Sequence, residues 1–202
     1  MERFTKDFHS TYSLGPNGRV VVESFNGSVE VSTWDRDIVD VSGSTYGPSM
    51  EAAEAIQVSI DAHPDEISIR AVPPMGSRGN RGARFVLKVP QTAVLDRVVS
   101  SNGEIHTTGG VGPARLRTSN GAIRVEDLRG RLDVQTSNGR VEVAGLDGDA
   151  MLHTSNGPIR GDRLRGSITA ESSNGPVDLA LEAIPSGGVR ARTSNGDRKS
   201  VV

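Results

Sequence analysis

The sequence predicts an all-β chain: a right-handed parallel β-solenoid, or β-helix, with 18-residue coils and an N-terminal β-rich cap. Three observations predict this fold. Ser-Asn-Gly recurs every 18 residues, apolar and polar residues alternate between the repeats, and the composition suits a thin core without large aromatic side chains. We expect one continuous domain, with N-terminal β-rich coils and cap over residues 1–94 and the regular Ser-Asn-Gly solenoid over residues 95–202.

The repeat consists of Asn-Gly pairs that each follow a serine. Successive asparagines are 18, 18, 18, 18 and 21 residues apart, an equality that chance does not produce. A chain that turns the same way every 18 residues stacks each strand on its copy, about 4.8 Å away, in parallel sheets. By analogy with parallel crossover connections, we expect the solenoid to be right-handed. The corner residues are Asn102, Asn120, Asn138, Asn156, Asn174 and Asn195, with Gly103, Gly121, Gly139, Gly157, Gly175 and Gly196.

Numbering each coil from its serine as position 1 separates inward from outward residues. Positions 5 and 7, and positions 14, 16 and 18, alternate with polar neighbours, which is typical of strands. Each coil thus has two short strands, joined at the Ser-Asn-Gly corner and at a Leu-x-Gly corner over positions 10–12. Asn and Gly tolerate positive φ, so we expect the chain to turn at both corners through residues with positive φ. The three extra residues of the last coil are expected near Glu182 to Pro185, at the second corner.

A meander of Asn-Gly hairpins is the competing interpretation, because Asn-Gly is also the strongest hairpin signal. The glycine at position 12 would provide its second tight turn. A meander gives no reason for identical residues to recur at 18, so the solenoid is favoured.

The first 94 residues lack the regular period, and we interpret them as early coils plus a cap over the solenoid end. The predicted elements are an early corner at Asn26-Gly27 between Arg19–Ser24 and Ser28–Ser32, a strand over Ile38–Val41, a short helix over Met50–Ile56, a hairpin of Gln57–Ala62 and Glu66–Ala71, a loop over Pro73–Gly82 and a strand over Arg84–Val89.

Composition excludes several classes of function. The net charge is −2, from 23 basic and 25 acidic residues, which does not favour nucleic acid or an anionic membrane as partner. Without cysteine the chain has neither disulfides nor thiol metal sites. No apolar run approaches the roughly 18 residues of a membrane span. The four histidines are scattered, so no metal or cofactor site is expected, and no catalytic residues stand out.

Two outward columns carry patterned chemistry. Position 6 alternates in sign over Arg124, Glu142, Arg160 and Asp178. This column is either a binding stripe or, as we favour, cross-strand pairing that fixes register at roughly 0.2–1 kcal/mol per pair. Likewise, the corner asparagines are expected to form a hydrogen-bonded ladder as in cross-β structures, in preference to a ligand site.

The segment Phe25-Asn26-Gly27-Ser28-Val29-Glu30-Val31, followed by Trp34-Asp35-Arg36-Asp37, resembles the opening of the bacterial "putative adhesin" family, a domain of unknown function with β-strand repeats. The Ser-Asn-Gly coils look like its body, so the resemblance runs from about Tyr12 to Asp197. It implies a right-handed parallel β-solenoid exported to the periplasm or cell surface, without catalytic residues. The chain departs from this pattern in two ways: no signal peptide is visible and no C-terminal cap is evident.

We therefore expect a non-enzymatic cell-envelope or surface protein that displays a long face to an unknown protein or glycan partner. One alternative is a structural module that assembles end to end through the C-terminal coil near Asn195. Another is a carbohydrate-active enzyme on a β-helix.

Overall fold

A computed structural model describes residues 4–76, 80–182 and 187–201. In these residues the chain folds into two β-sheets with one core cluster of apolar side chains. The ten-stranded sheet contains, in spatial order, β1 (Phe4–Ser13), β4 (Ile38–Gly47), β7 (Gly82–Pro90), β3 (Val29–Trp34), β9 (Ile105–Thr108), β11 (Ile123–Arg129), β13 (Val141–Asp147), β15 (Ile159–Arg165), β17 (Val177–Leu181) and β19 (Arg198–Val201). The nine-stranded sheet contains β18 (Val189–Thr193), β16 (Ile168–Ser172), β14 (Ala150–Thr154), β12 (Leu132–Thr136), β10 (Ala114–Thr118), β8 (Val94–Ser100), β2 (Arg19–Ser24), β6 (Glu66–Val72) and β5 (Gln57–His63).

Successive coils stack in parallel and in register, which confirms the β-solenoid. Ile123 lies beside Val141 in β11 and β13, and Leu132 beside Ala150 in β12 and β14, so each residue pairs with its copy 18 positions on. From β8 onward neighbouring strands are parallel, and the hairpin meander is therefore wrong.

The last coil regains register after its insertion, because Val189 pairs with Ile168 in β18 and β16. Of the stretch predicted to hold the insertion, Glu182 to Pro185, residues 183–185 lie outside the described residues.

The inward positions predicted from the alternation are buried. The residues at position 5 of the regular coils are completely buried: Ile105, Ile123, Val141, Ile159 and Val177. The hydroxyl residues at position 18 are buried too, as predicted. In the regular coils the core is thus a few narrow columns of mostly aliphatic side chains, each column repeated coil after coil.

The strand after the Ser-Asn-Gly corner is longer than predicted because it contains a bulge. Position 9 adopts left-handed backbone in four successive coils, at Gly109, Asp127, Gly145 and Arg163, with φ between 52° and 79°. The bulge shifts the alternation by one residue, so that the leucines at position 10 point inward after position 7. At the second corner, Gly130, Gly148 and Gly166 have positive φ, as predicted.

The N-terminal third joins the same stack, but out of chain order. The coil β2–β3 lies between β6–β7 on one side and β8–β9 on the other. Antiparallel pairing of β1 with β4 and of β5 with β6 then ends the two sheets, and the β5–β6 hairpin is as predicted. The helix α1 (Met50–Glu54) begins after Ser49, whose side chain accepts a hydrogen bond from the Ala52 N–H at 3.1 Å.

Thr107 is an exception in the core. It occupies position 7, where the next two coils have valine, and its buried Oγ1 has no hydrogen-bond partner among the described residues. We expect Thr107→Val to stabilise the protein by about 1 kcal/mol, because an unpaired buried hydroxyl is replaced by a methyl group of similar shape. Urea denaturation monitored by circular dichroism measures this change.

Thr136→Val is the matched control. The Thr136 hydroxyl donates to Gly121 O at 3.3 Å and accepts from the Gly139 N–H at 3.2 Å. Its removal leaves two backbone groups unpaired, and we expect a loss of about 1–3 kcal/mol. If both variants lost the same free energy of unfolding, the Thr107 hydroxyl would not differ from the hydrogen-bonded Thr136 hydroxyl.

Candidate functional site

The corner asparagines form one hydrogen-bonded ladder along the solenoid. In each step the side-chain Nδ2 of one coil donates to Oδ1 of the preceding coil, over 2.6–2.8 Å. Asn26 belongs to the ladder as well, since it accepts from Asn102 and donates to the Arg81 carbonyl at 3.0 Å. The ladder residues are Asn26, Asn102, Asn120, Asn138, Asn156, Asn174 and Asn195.

The predicted mechanism of this corner, positive φ at Asn and Gly, is wrong for the regular coils. None of the corner asparagines is in the left-handed region, and of the seven corner glycines only Gly27 has positive φ, at 109°. The glycines are required by the stacking instead. A Cβ on Gly121, Gly139 or Gly157 would overlap the carbonyl oxygen of the corner glycine one coil below. The corner glycines therefore stack without room for a side chain.

A buried hydroxyl at position 18 ties each corner to the one below. Thr154 Oγ1 donates to Gly139 O at 3.1 Å and accepts from the Gly157 N–H at 3.1 Å. The same pair of bonds recurs at Ser100, Thr118, Thr136, Ser172 and Thr193. The polar atoms of the corner thus belong to a structural network.

The predicted charge column at position 6 is paired at one step only. Arg124 donates to Glu142 through Nη2 at 2.7 Å and Nε at 3.1 Å, and this hydrogen bond lowers the pKa of Glu142 against the opposing effect of its partial burial. In the described part of the chain, Arg160 and Asp178 have no ion-pair partner. If the column served to fix register, each step would have an ion pair, but among the described residues only the step from Arg124 to Glu142 has one.

These unpaired charges border a groove on the outer face of the ten-stranded sheet. It crosses five strands, β11, β13, β15, β17 and β19, and has a volume of about 620 Å³, within the usual range of ligand sites. Position 6 carries charged side chains in all five strands, whereas position 8 includes the small Ala144 and Ala180. Its surface is predominantly apolar, although Arg160, Asp178 and Lys199 line it.

A second, more polar cleft of about 520 Å³ follows the bulge. Asp127 and Arg163 face each other there across Gly145, with Oδ1 and Nη1 3.7 Å apart. Arg165 and Glu182 form a further ion pair in this cleft. Because much of its charge is already paired within the chain, we regard the groove on the ten-stranded sheet as the better candidate.

Two other classes of site are absent from the described residues, 4–76, 80–182 and 187–201. No cluster of three or more His, Asp or Glu side chains in them is placed to hold a metal ion. None of their helices combines the length and apolar character needed to cross a membrane.

Comparisons with known proteins place the chain by its fold. No protein-family model matches the sequence, and no curated protein is significantly similar to it. The crystal structure of a putative adhesin from Bacteroides fragilis NCTC 9343 is similar, with a TM-score of 0.52 and 15% identity over 97% of each chain. A putative cell adhesion protein from Clostridium sporogenes ATCC 15579 is similar over 96% of this chain and 99% of the other, with 12% identity and a TM-score of 0.41. The chain therefore shares the fold of a solved bacterial protein that is named a putative adhesin.

Proposed function

We propose that the protein is a non-enzymatic, adhesin-like surface protein that binds an extended ligand in the groove on the ten-stranded sheet. The groove carries this proposal, because it combines an apolar floor with charged groups that have no partner within the described chain. The fold shared with the Bacteroides fragilis protein supports the adhesin-like class. Fold alone does not determine function, so the chemistry of the groove has to specify the ligand.

The groove favours a ligand with both apolar surface and polar groups, as protein segments and glycans have. Ala144 and Ala180 leave the sheet uncovered for apolar contact, while Arg160 and Asp178 offer one charge of each sign. Small-ligand and polymer sites typically combine an apolar lining with a few polar groups that fix orientation. The partner class that we propose is accordingly a protein or a glycan.

We place the protein outside the cytoplasm, in the periplasm or at the cell surface. The fold that it shares with a protein named a putative adhesin supports this location, and a chain without cysteine is compatible with it.

Ala144→Trp tests the groove directly. Ala144 lies on its floor between charged neighbours, so an indole there fills the space that a ligand would occupy. We expect the variant to lose at least about tenfold in affinity, corresponding to about 1.4 kcal/mol of binding free energy. The measurement is binding of the immobilised domain to a panel of defined oligosaccharides and to proteins of envelope extracts.

Met151→Trp is the matched control for this experiment. Met151 is exposed on the outer face of the nine-stranded sheet, away from the groove. This variant should bind as the parent protein does. Equal loss in both variants, or none in Ala144→Trp, would place the binding surface elsewhere. Breakdown of a bound glycan that disappears in Asp178→Asn would instead favour the carbohydrate-active enzyme. End-to-end assembly through the C-terminal coil stays a prediction.

A further inference from the structure

Asparagine followed by glycine is the dipeptide most prone to spontaneous deamidation, and the chain contains eight such pairs. In this reaction the backbone nitrogen of the glycine gives up its proton and attacks the asparagine Cγ. A C–N bond forms, the Cγ–Nδ2 bond breaks, and ammonia leaves. Water then opens the resulting succinimide ring to aspartate or isoaspartate. The reaction requires a free side-chain amide, an available glycine nitrogen and room for the ring.

All seven ladder asparagines have a hydrogen-bonded side-chain amide, and in every case but Asn26 the N–H of the following glycine is hydrogen-bonded to a buried or half-buried hydroxyl as well. At Asn138, for example, Nδ2 donates to Asn120 and Oδ1 accepts from Asn156, both at 2.7 Å. The attacking nitrogen, that of Gly139, donates to the buried Thr136 hydroxyl at 3.2 Å.

The eighth pair, Asn17-Gly18, lies in the turn between β1 and β2 and is built differently. Asn17 is exposed and has left-handed backbone with φ of 56°. Its side chain makes no hydrogen bond to the described residues. One bond has to open, from the Gly18 N–H to Gly15 O at 3.0 Å.

From this contrast we infer that Asn17 is the selective deamidation site of the folded protein and that the ladder protects the other seven asparagines. The inference is independent of the proposed function, since it concerns the chemical lifetime of the chain and not its ligand. At the five inner ladder asparagines, from Asn102 to Asn174, two more hydrogen bonds must open than at Asn17, so we expect conversion there to be at least about tenfold slower. At the two ends of the ladder, Asn26 and Asn195, only one more bond must open, and we expect an intermediate rate.

The sequence makes the test direct, because trypsin places every Asn-Gly pair in a separate peptide. Asn17 falls in residues 7–19, Asn26 in 20–36 and Asn138 in 132–140. The folded protein is incubated at mildly alkaline pH, digested briefly, and analysed by mass spectrometry for aspartate and isoaspartate. We expect conversion in peptide 7–19, less in the peptides of Asn26 and Asn195, and at least about tenfold less in the five others.

Two controls separate structure from sequence. In concentrated urea all eight peptides should convert at similar rates, because the ladder is lost. Asn17→Gln should abolish conversion in peptide 7–19 and leave the other seven unchanged. Conversion of ladder asparagines in the folded protein as fast as Asn17, or an Asn17 that converts only in urea, would overturn the inference.

Discussion

Ile123→Asp is expected to unfold the solenoid body. Ile123 is completely buried at position 5 and pairs with Ile105 on one side and Val141 on the other. A carboxylate there loses its hydration among aliphatic neighbours, at a cost of several kcal/mol. That cost is comparable with the whole stability of a typical domain, about 5–15 kcal/mol. Loss of the β signal in circular dichroism, or accumulation of the variant in inclusion bodies, is the expected observation.

Two neighbouring variants show whether orientation causes this effect. Ile123→Val keeps the apolar column and should cost only about 1 kcal/mol. Arg124→Ser changes the next residue, whose side chain is 44% exposed and pairs with Glu142, and should cost less than about 1 kcal/mol. A folded Ile123→Asp protein with an unchanged melting temperature would show that position 5 does not face the core.

The predictable part of the fold is the part that depends on periodicity. Period-two alternation identifies which side chains are buried, and the 18-residue spacing identifies which residues stack, so Ile123 and Asn120 could be placed without coordinates. The stacking order of the first coils was not predictable, because β2–β3 lies next to β8–β9 although about 60 residues separate them in the chain. Nothing in the local sequence specifies that neighbour.

The bulge and the corner mechanism were missed for physical reasons. Left-handed backbone is uncommon at a residue such as Arg163, so its sequence gives no signal of a bulge. The corner glycines point to a local turn preference, yet the constraint acts between coils and becomes visible only when the coils are stacked. The groove could not be predicted for the same reason. It forms where the small Ala144 and Ala180 lie beside charged side chains of neighbouring coils, and this arrangement becomes visible only when the coils are stacked.

Gly139→Ala is expected to show that the corner glycines are required by stacking. The backbone of Gly139 is outside the left-handed region, so alanine meets no left-handed strain there. Its methyl group would instead overlap the carbonyl oxygen of Gly121 in the coil below. The atom that the methyl group meets is a backbone oxygen in a corner held between paired strands, so relief requires the coils to separate and the Asn120–Asn138 bond to lengthen. We expect a loss of about 3 kcal/mol, at the upper end of overpacking costs.

Gly188→Ala is the control for this experiment, because an alanine there has backbone strain but no steric overlap. Gly188 has φ of 78°, and a Cβ there has no atom of the described chain within 4 Å. Its cost should be about 1–2 kcal/mol, the usual penalty for left-handed backbone at a non-glycine residue. Urea denaturation of both variants gives the comparison. If Gly139→Ala costs no more than Gly188→Ala, the coils can move apart at the corner, and the glycines there serve local backbone freedom after all.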